Sequence, residues 1–236
     1  MNLFKRIYCR TFQKIMHLLI PLFPYREPKL LNGYEGIVGV LKDKKIDSVI
    51  LVTGKRVRGC GLTSALEELL KENNIMCIVY DNTLQNPTSN NVEEARRLYL
   101  ENNCGALIAF GGGSVMDCAK ALGARIVRPK KLLKKMQGLI KVRKKLPPFF
   151  AIPTTAGSGS EATVASVIVD SQTNHKYIIN DFCLIPHYAV IDPDVTVTLP
   201  KNITAITGMD ALTHAVEVYV GKSMTRKSKK SCRRSG

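Results

Sequence analysis

The sequence alternates short apolar runs with segments that carry apolar residues at helical spacing. Three continuous apolar runs predict strands at Ser48–Thr53, Ile75–Tyr80 and Ala106–Phe110. The segments that follow them predict helices over Thr63–Asn73, Val92–Glu101 and Gly111–Ala124. A strand that is apolar along its whole length is typical of a parallel sheet covered on both faces. We therefore predict an α/β fold with a parallel sheet.

The second half of the chain continues this pattern and then changes. Phe149–Ile152 and Tyr188–Ile191 predict further strands, and Thr163–Asp170 with Lys176–Asn180 predict a hairpin joined by SQTNH. From Asn202 onward the apolar spacing is helical. We expect a strand-rich body followed by one long helix.

The charge is concentrated in two segments. The chain has 236 residues, 45% of them hydrophobic, which excludes disorder as its main state, and a formal net charge of +16. Residues 121–150 and 221–236 hold 17 of the 35 lysines and arginines and no acid. Because the remaining body is close to neutral, a general nucleic-acid surface is not indicated. The lysine-rich stretch Lys130–Lys145 leaves two interpretations open, a solvated rim or a surface for an anionic ligand or partner.

The cysteines and the N-terminus bear on location. The seven cysteines are at least 14 residues apart, so no C-x-x-C pair exists and we expect buried free thiols in a reducing cytosol.

Residues 1–24 have a basic start and a nine-residue apolar run without a cleavage site, too short to cross a bilayer. We predict a helix here that packs on the domain or on a neighbouring subunit, with a targeting or membrane-surface role as the alternative.

Two glycine- and hydroxyl-rich loops follow predicted strands. In GGGSVMDCAKA, Gly112 and Gly113 would let a ligand approach the backbone, and Ser114 would open the next helix. In PTTAGSGSEAT, the hydroxyls of Thr154, Thr155 and Ser158 could hold ribose and phosphate oxygens. A plain helix cap and an ordinary connection are the structural alternatives. Loops at the ends of successive parallel strands are where open α/β sheets bind ligands.

The segment GMDALTHAVEVY places Asp210 and His214 four residues apart. On a helix both side chains project from one face and could share a divalent metal. An ordinary hydrogen bond between the two side chains is the alternative, and two ligands do not complete a metal site.

Four motifs together, GGGSVMDCAKA, PTTAGSGSEAT, DPDVTVTLP and GMDALTHAVE, resemble the iron-containing (group III) alcohol dehydrogenases in order and interval. The resemblance covers about residues 25–222. It implies a Rossmann-like parallel-sheet dinucleotide-binding domain over residues 25–200, and an all-helical second domain represented only by its first helix, 201–220. Residues 221–236 would then be a basic, disordered tail.

The resemblance also implies chemistry, namely hydride transfer between an alcohol or aldehyde and NAD or NADP, assisted by Fe²⁺ or Zn²⁺. It implies that Gly112, Gly113 and Ser114 contact the pyrophosphate and that Asn86 lies near the adenosine side. Thr154, Thr155 and Ser158 would contact phosphate and the nicotinamide end, and Val167 and Lys176 would contact the nicotinamide ribose. Asp210 and His214 would be two metal ligands.

Two departures from the family pattern affect this expectation. Where the family has an acid for the adenosine ribose, this chain has Gly54, followed by Lys55 and Arg56, so we expect NADP to bind at least as well as NAD. The family's other two metal-ligating histidines have no counterpart after Tyr219, so we expect a truncated chain that is weakly active or inactive.

Three functional hypotheses therefore stand. The first is a cytoplasmic dehydrogenase acting on a small-molecule alcohol or aldehyde, with a homodimer as a candidate assembly, no nucleic-acid partner and no membrane span. The second is a non-catalytic nucleotide-binding fragment without metal. The third, a basic nucleic-acid or membrane binder, depends only on residues 121–150 and the tail.

Overall fold

The computed structural model describes residues 7–11, 25–197 and 199–220. Residues 7–11 are helical and exposed. The rest of the predicted N-terminal helix, and the predicted tail over 221–236, lie outside the described residues. The domain boundaries proposed from the sequence stay predictions.

Six parallel strands form the main sheet, which confirms the predicted fold class. They are β1 Lys29–Leu30, β2 Ser48–Val52, β3 Met76–Tyr80, β4 Ala106–Gly111, β6 Phe149–Pro153 and β9 Tyr188–Ala189. Their order across the sheet is β1-β9-β6-β4-β2-β3, with every neighbouring pair parallel. β2 and β4 are buried along their whole length, as their apolar sequences require.

Helices cover both faces of this sheet. From β1 onward the described helices are α1 Gly33–Asp43, α2 Lys55–Gly59, α3 Ser64–Glu72, α4 Ser89–Glu101, α5 Gly113–Val127, α6 Asp194–Val197 and α7 Lys201–Val220. One face is packed by apolar residues of α1 and α3, including Ile37, Leu41 and Leu66, and the other by α4 and α5, including Val92 and Met116. The core therefore lies in two layers, one on each side of the sheet.

A second sheet of three strands lies beside α5. The predicted hairpin forms its antiparallel pair, β7 Ala165–Val169 and β8 Lys176–Asn180. Its third strand, β5 Gly138–Leu139, pairs parallel to β8 and follows the 3₁₀ turn Leu133–Met136 in the lysine-rich stretch. Further 3₁₀ turns occur at Ser160–Ala162 and Phe182–Leu184.

The long helix α7 is present as predicted, but it is exposed along nearly all of its length. Only Ile203 and Thr207 are half-buried, while the apolar residues Ile206, Met209 and Leu212 are exposed. Among the described residues, no helix is long and apolar enough to cross a membrane.

The cysteines only partly follow the expectation of burial. Cys104 and Cys118 are buried free thiols, whereas Cys9 and Cys60 are exposed. Cys232 lies outside the described residues. Cys60 is exposed because it ends the short helix α2, which buries no side chain.

Candidate functional site

The candidate site lies at the carboxyl edge of the main sheet, where the chain reverses its direction of winding. After β2 the chain moves to β3 on one side, and after β4 it moves to β6 on the other. The ends of β2 and β4 therefore border the crevice in which open α/β sheets bind ligands. The Thr53 hydroxyl donates a 2.8 Å hydrogen bond to the Phe110 carbonyl and joins the two strand ends.

The glycines after β4 leave the start of α5 open. Gly112 is the N-cap of α5 and provides no side-chain cap, so the first N–H groups of the helix have no partner from that residue. The structural alternative, in which Ser114 caps the helix, is wrong, because the helix begins at Gly113 and the Ser114 hydroxyl donates to the Gln85 carbonyl. A helix start of this kind binds phosphate through its N–H groups and its dipole.

The loop after β6 meets these glycines. A Cβ placed on Gly112 would lie 3.4 Å from both Thr155 Cγ2 and Thr155 Oγ1, and one on Gly113 would lie 3.2 Å from Ser158 Oγ. Substitution at either glycine would therefore fill the space between the loops. The structure thus brings Gly112, Gly113, Thr155 and Ser158 together, as expected for parts of one site.

Backbone and side-chain hydrogen bonds hold the second loop in place. Thr154 is buried, and its N–H donates a 3.2 Å hydrogen bond to the Gly111 carbonyl. Ser160 donates to Ser158 Oγ at 3.0 Å. Thr155 and Ser158 are only half-buried, so their hydroxyls can reach a ligand.

Three further predicted residues border the same edge. Lys176 donates to Asn86 Oδ1 at 3.3 Å, so these two exposed side chains bridge the β3–α4 connection and β8. Val167 is half-buried on β7, two residues from Val169, the residue that pairs with Lys176. The sequence did not predict the contact between Asn86 and Lys176, since they lie 90 residues apart.

Sequence reasoning missed the role of two charged side chains beneath this edge, the half-buried Asp117 and the fully buried Lys120. The Lys120 ammonium donates to Thr163 O at 2.8 Å, Thr163 Oγ1 at 2.7 Å and Ala165 O at 2.9 Å. Burial lowers the Lys120 pKa to about 8, against the opposing effect of Asp117. Burial also raises the Asp117 pKa to about 6, although Lys120, the Val167 N–H and Lys176 oppose that rise. The only sequence signal was a lysine on the otherwise apolar face of α5.

Gly54 lies beside the same crevice with cations around it. It is the N-cap of α2 in extended backbone, and Lys55 and Arg56 are exposed in the first turn. Arg58, at the end of that turn, donates a 3.0 Å hydrogen bond to Asp81, which follows β3. The surface next to Gly54 therefore carries more positive than negative charge, which would attract an added phosphate.

Asp210 and His214 lie on α7, beyond the point at which the second loop contacts this helix. A Cβ on Gly157 would lie only 2.4 Å from the Thr207 carbonyl, so the loop backbone packs directly on α7. Thr207, Asp210 and His214 are spaced three and four residues apart, which places them on one helical face. The two predicted metal ligands are about one and two turns beyond this contact.

The donor chemistry of this pair suits a metal, but the pair is incomplete. His214 Nε2 lies 3.7 Å from Asp210 Oδ1, and both side chains are about half exposed. Carboxylate and imidazole are ligands of Fe²⁺ and Zn²⁺, and protein metal sites normally have three or more such ligands. Within the described ranges no group of three or more candidate ligands comes together. The described residues thus fit two positions of a metal site.

Known proteins are similar to this chain in sequence and fold over about half of their own length. An NAD-dependent methanol dehydrogenase of Bacillus methanolicus is 35% identical over 185 residues, which cover 78% of this chain and 48% of that protein. A crystal structure of a 1,3-propanediol oxidoreductase matches with a TM-score of 0.83 at 29% identity, over 89% of this chain and 56% of that one. A sulfoacetaldehyde reductase from Bifidobacterium kashiwanohense, solved in complex with NAD⁺, has a TM-score of 0.75 at 27% identity, with the same coverage. The chain spans about half the length of the relatives it matches.

The family comparison covers both loops of the candidate site. The model of the family described as "Iron-containing alcohol dehydrogenase" matches residues 34–193, from α1 to the start of α6. This range contains the glycine turn after β4, the hydroxyl loop after β6 and the hairpin that holds Lys176. By this match the chain belongs to the iron-containing alcohol dehydrogenase family.

Proposed function

We propose that this chain supplies the coenzyme-binding part of an NAD(P)-dependent, metal-dependent alcohol dehydrogenase or aldehyde reductase. The observation that carries the proposal is the meeting of two loops at the open start of α5. There, uncapped N–H groups and the hydroxyls of Thr155 and Ser158 surround a space that a Cβ on Gly112 or Gly113 would fill.

Different residues contact different parts of the bound dinucleotide. The N–H groups at Gly113 and Ser114 hold the pyrophosphate, because a helix start favours negative charge. Thr154, Thr155 and Ser158 position the phosphate and nicotinamide end, and Val167 and Lys176 lie against the nicotinamide ribose. Asn86, held by Lys176, borders the adenosine side. Gly54 leaves room for a 2′-phosphate beside Lys55 and Arg56.

Asp210 and His214 would hold a metal as two of its ligands. Bound there, Fe²⁺ or Zn²⁺ would act as a Lewis acid that favours the alkoxide form of an alcohol. The backbone of Gly157 in the coenzyme loop packs against the backbone of Thr207 in α7. This backbone contact would thus hold the coenzyme loop close to the helix that carries the two metal ligands.

The second candidate function is nucleotide binding without catalysis. It is favoured by the observation that the described residues supply two metal ligands rather than three or four. It shares the coenzyme site and differs only in lacking a bound metal. A cytoplasmic location, supported by free cysteines in the described part of the chain, and a homodimer are further proposals.

Coenzyme binding by Gly112→Val tests the proposed site. We expect NADP⁺ binding, measured by calorimetry on the 236-residue chain, to weaken at least about tenfold, which is about 1.4 kcal/mol. The valine would extend into the space next to Thr155. The matched control is Gly39→Val, because a Cβ at Gly39 on the exposed side of α1 meets nothing within 4 Å. Equal affinities of Gly112→Val and the parent would contradict the proposed loop.

A further inference from the structure

A second pocket lies at the opposite edge of the main sheet. It is a cavity of about 520 Å³ at the start of β6 and β9, with His187 directly before β9 and Lys144 and Lys145 in the segment that leads into β6. The coenzyme loops follow the other ends of these parallel strands. We call this cavity the amino-edge pocket. The five-residue strand β6, about 16 Å long, separates it from the candidate coenzyme site.

The walls of the amino-edge pocket are strongly basic. Arg26, Arg143, Lys144 and Lys145 line it, and none of them forms an ion pair with an acid in the described ranges. This pocket is where part of the lysine-rich stretch meets the N-terminal side of the domain. The basic stretch therefore contributes to a concave surface as well as to the rim.

One acid lines the pocket, and backbone groups already satisfy it. Asp181 Oδ2 accepts hydrogen bonds from the N–H groups of Val142 at 2.9 Å and Arg143 at 3.0 Å. Its Oδ1 accepts from the Cys183 N–H at 3.2 Å. Arg26 donates one side-chain hydrogen bond to the Ile185 carbonyl, and Arg143 donates one to the Ile140 carbonyl. The remaining guanidinium N–H groups and the ammonium groups of Lys144 and Lys145 can reach an external anion.

Buried nitrogen atoms without partners lie in the same walls. Among the described residues, Arg26 Nε and both ring nitrogens of His187 are buried and have no hydrogen-bond partner. Burial, together with Arg26, Lys145 and Lys44, lowers the His187 pKa to about 4, so the ring is neutral at pH 7 and has one N–H to donate. Unpaired buried polar atoms cost free energy, and an oxyanion that reached them would remove this cost.

We propose that the amino-edge pocket binds a phosphorylated small molecule, with the phosphate held by Arg26, Arg143, Lys144 and Lys145. The volume of the pocket lies in the range of small-molecule sites. Guanidinium and ammonium groups are the usual phosphate ligands in proteins. Ile140 and Cys183 provide an apolar wall for the organic part of the ligand.

The test is calorimetric titration of the 236-residue chain with AMP, inorganic phosphate and adenosine. We expect AMP to bind, inorganic phosphate to bind more weakly and adenosine not to bind. The double variant Lys144→Gln/Lys145→Gln should weaken AMP binding at least about tenfold. The matched control Lys130→Gln/Lys135→Gln removes the same charge from exposed positions outside the pocket and should leave the affinity within about twofold of the parent.

A Gly112→Val arm separates this pocket from the coenzyme site. AMP binding that survives Gly112→Val and is lost in Lys144→Gln/Lys145→Gln supports the proposal. Three results would overturn it: no AMP binding, equal loss in both lysine pairs, or loss with Gly112→Val while the lysine variants bind normally. Inorganic phosphate binding as tightly as AMP would overturn the role given to the apolar wall. Arg26→Gln provides a second variant in the lining of the pocket, with the same expected loss.

Discussion

At the scale of single residues, we propose that Gly54 decides how the adenosine ribose of the coenzyme is recognised. An aspartate fits there, because the backbone is extended and a Cβ would lie 3.7 Å from its nearest neighbour, the Thr83 carbonyl. We expect Gly54→Asp to shift preference from NADP toward NAD by roughly 1–3 kcal/mol, since a carboxylate accepts from the ribose hydroxyls and repels a 2′-phosphate. Dissociation constants for both coenzymes, on parent and variant at one salt concentration, measure this shift.

Two results would contradict the role proposed for Gly54. A parent chain that strongly prefers NAD would show that Lys55 and Arg56 do not favour the 2′-phosphate. An unchanged ratio in the variant would show that residue 54 does not face the ribose. Replacing Gly59, where a Cβ also meets nothing within 4 Å, with aspartate is the control for added charge on α2.

The sequence could identify the candidate ligand-binding residues, but not the residues that support them. Gly112 and Thr155 stand in recognisable loops after apolar strands, so their positions follow from the alternating pattern. Lys120 lies in a helix like any other lysine, and nothing local shows that its ammonium reaches Thr163, 43 residues away. Likewise the partnership of Asn86 with Lys176 depends on how the hairpin packs on the body.

At the scale of elements, Lys120 joins α5 to the start of β7, the first strand of the hairpin, through hydrogen bonds to Thr163 and Ala165. We expect Lys120→Met to lower the free energy of unfolding by roughly 2–4 kcal/mol, because the carbonyls of Thr163 and Ala165 lose their buried donor and Asp117 loses its counter-charge. Urea denaturation measures the change. Lys71→Met, on the exposed side of α3, is the control and should differ little from the parent. Equal stability of Lys120→Met and Lys71→Met would contradict the bridging role.

The elements that the sequence missed have identifiable physical reasons. Helix α1 holds three glycines, Gly33, Gly36 and Gly39, which lower helix propensity, and it forms because Ile37 and Leu41 are fully buried against the sheet. Strand β5 has two residues within a lysine-rich stretch, so its alternation is too short to detect. In both cases tertiary packing outweighs local preference.

At the scale of the whole molecule, the described metal ligands are fewer than catalysis normally uses. We expect the purified 236-residue polypeptide to show negligible alcohol oxidation with added Fe²⁺ or Zn²⁺, because two ligands plus water hold a metal weakly. Coenzyme reduction followed by absorbance, with Asp210→Ala as the reference for metal-independent background, measures this. Robust metal-dependent turnover that Asp210→Ala abolishes would contradict the expectation.

The central claim is that the dinucleotide binds at the carboxyl edge of the sheet, and hydrogen exchange of the free and NADP⁺-bound chain tests it most directly. The account predicts slower exchange in peptides covering residues 111–116 and 154–160, whose N–H groups and loops surround the proposed pyrophosphate. Peptides covering residues 29–43, in β1 and α1, should be unchanged and are the internal control. Protection confined to the amino-edge pocket, or equal exchange at residues 111–116 with and without NADP⁺, would contradict the account.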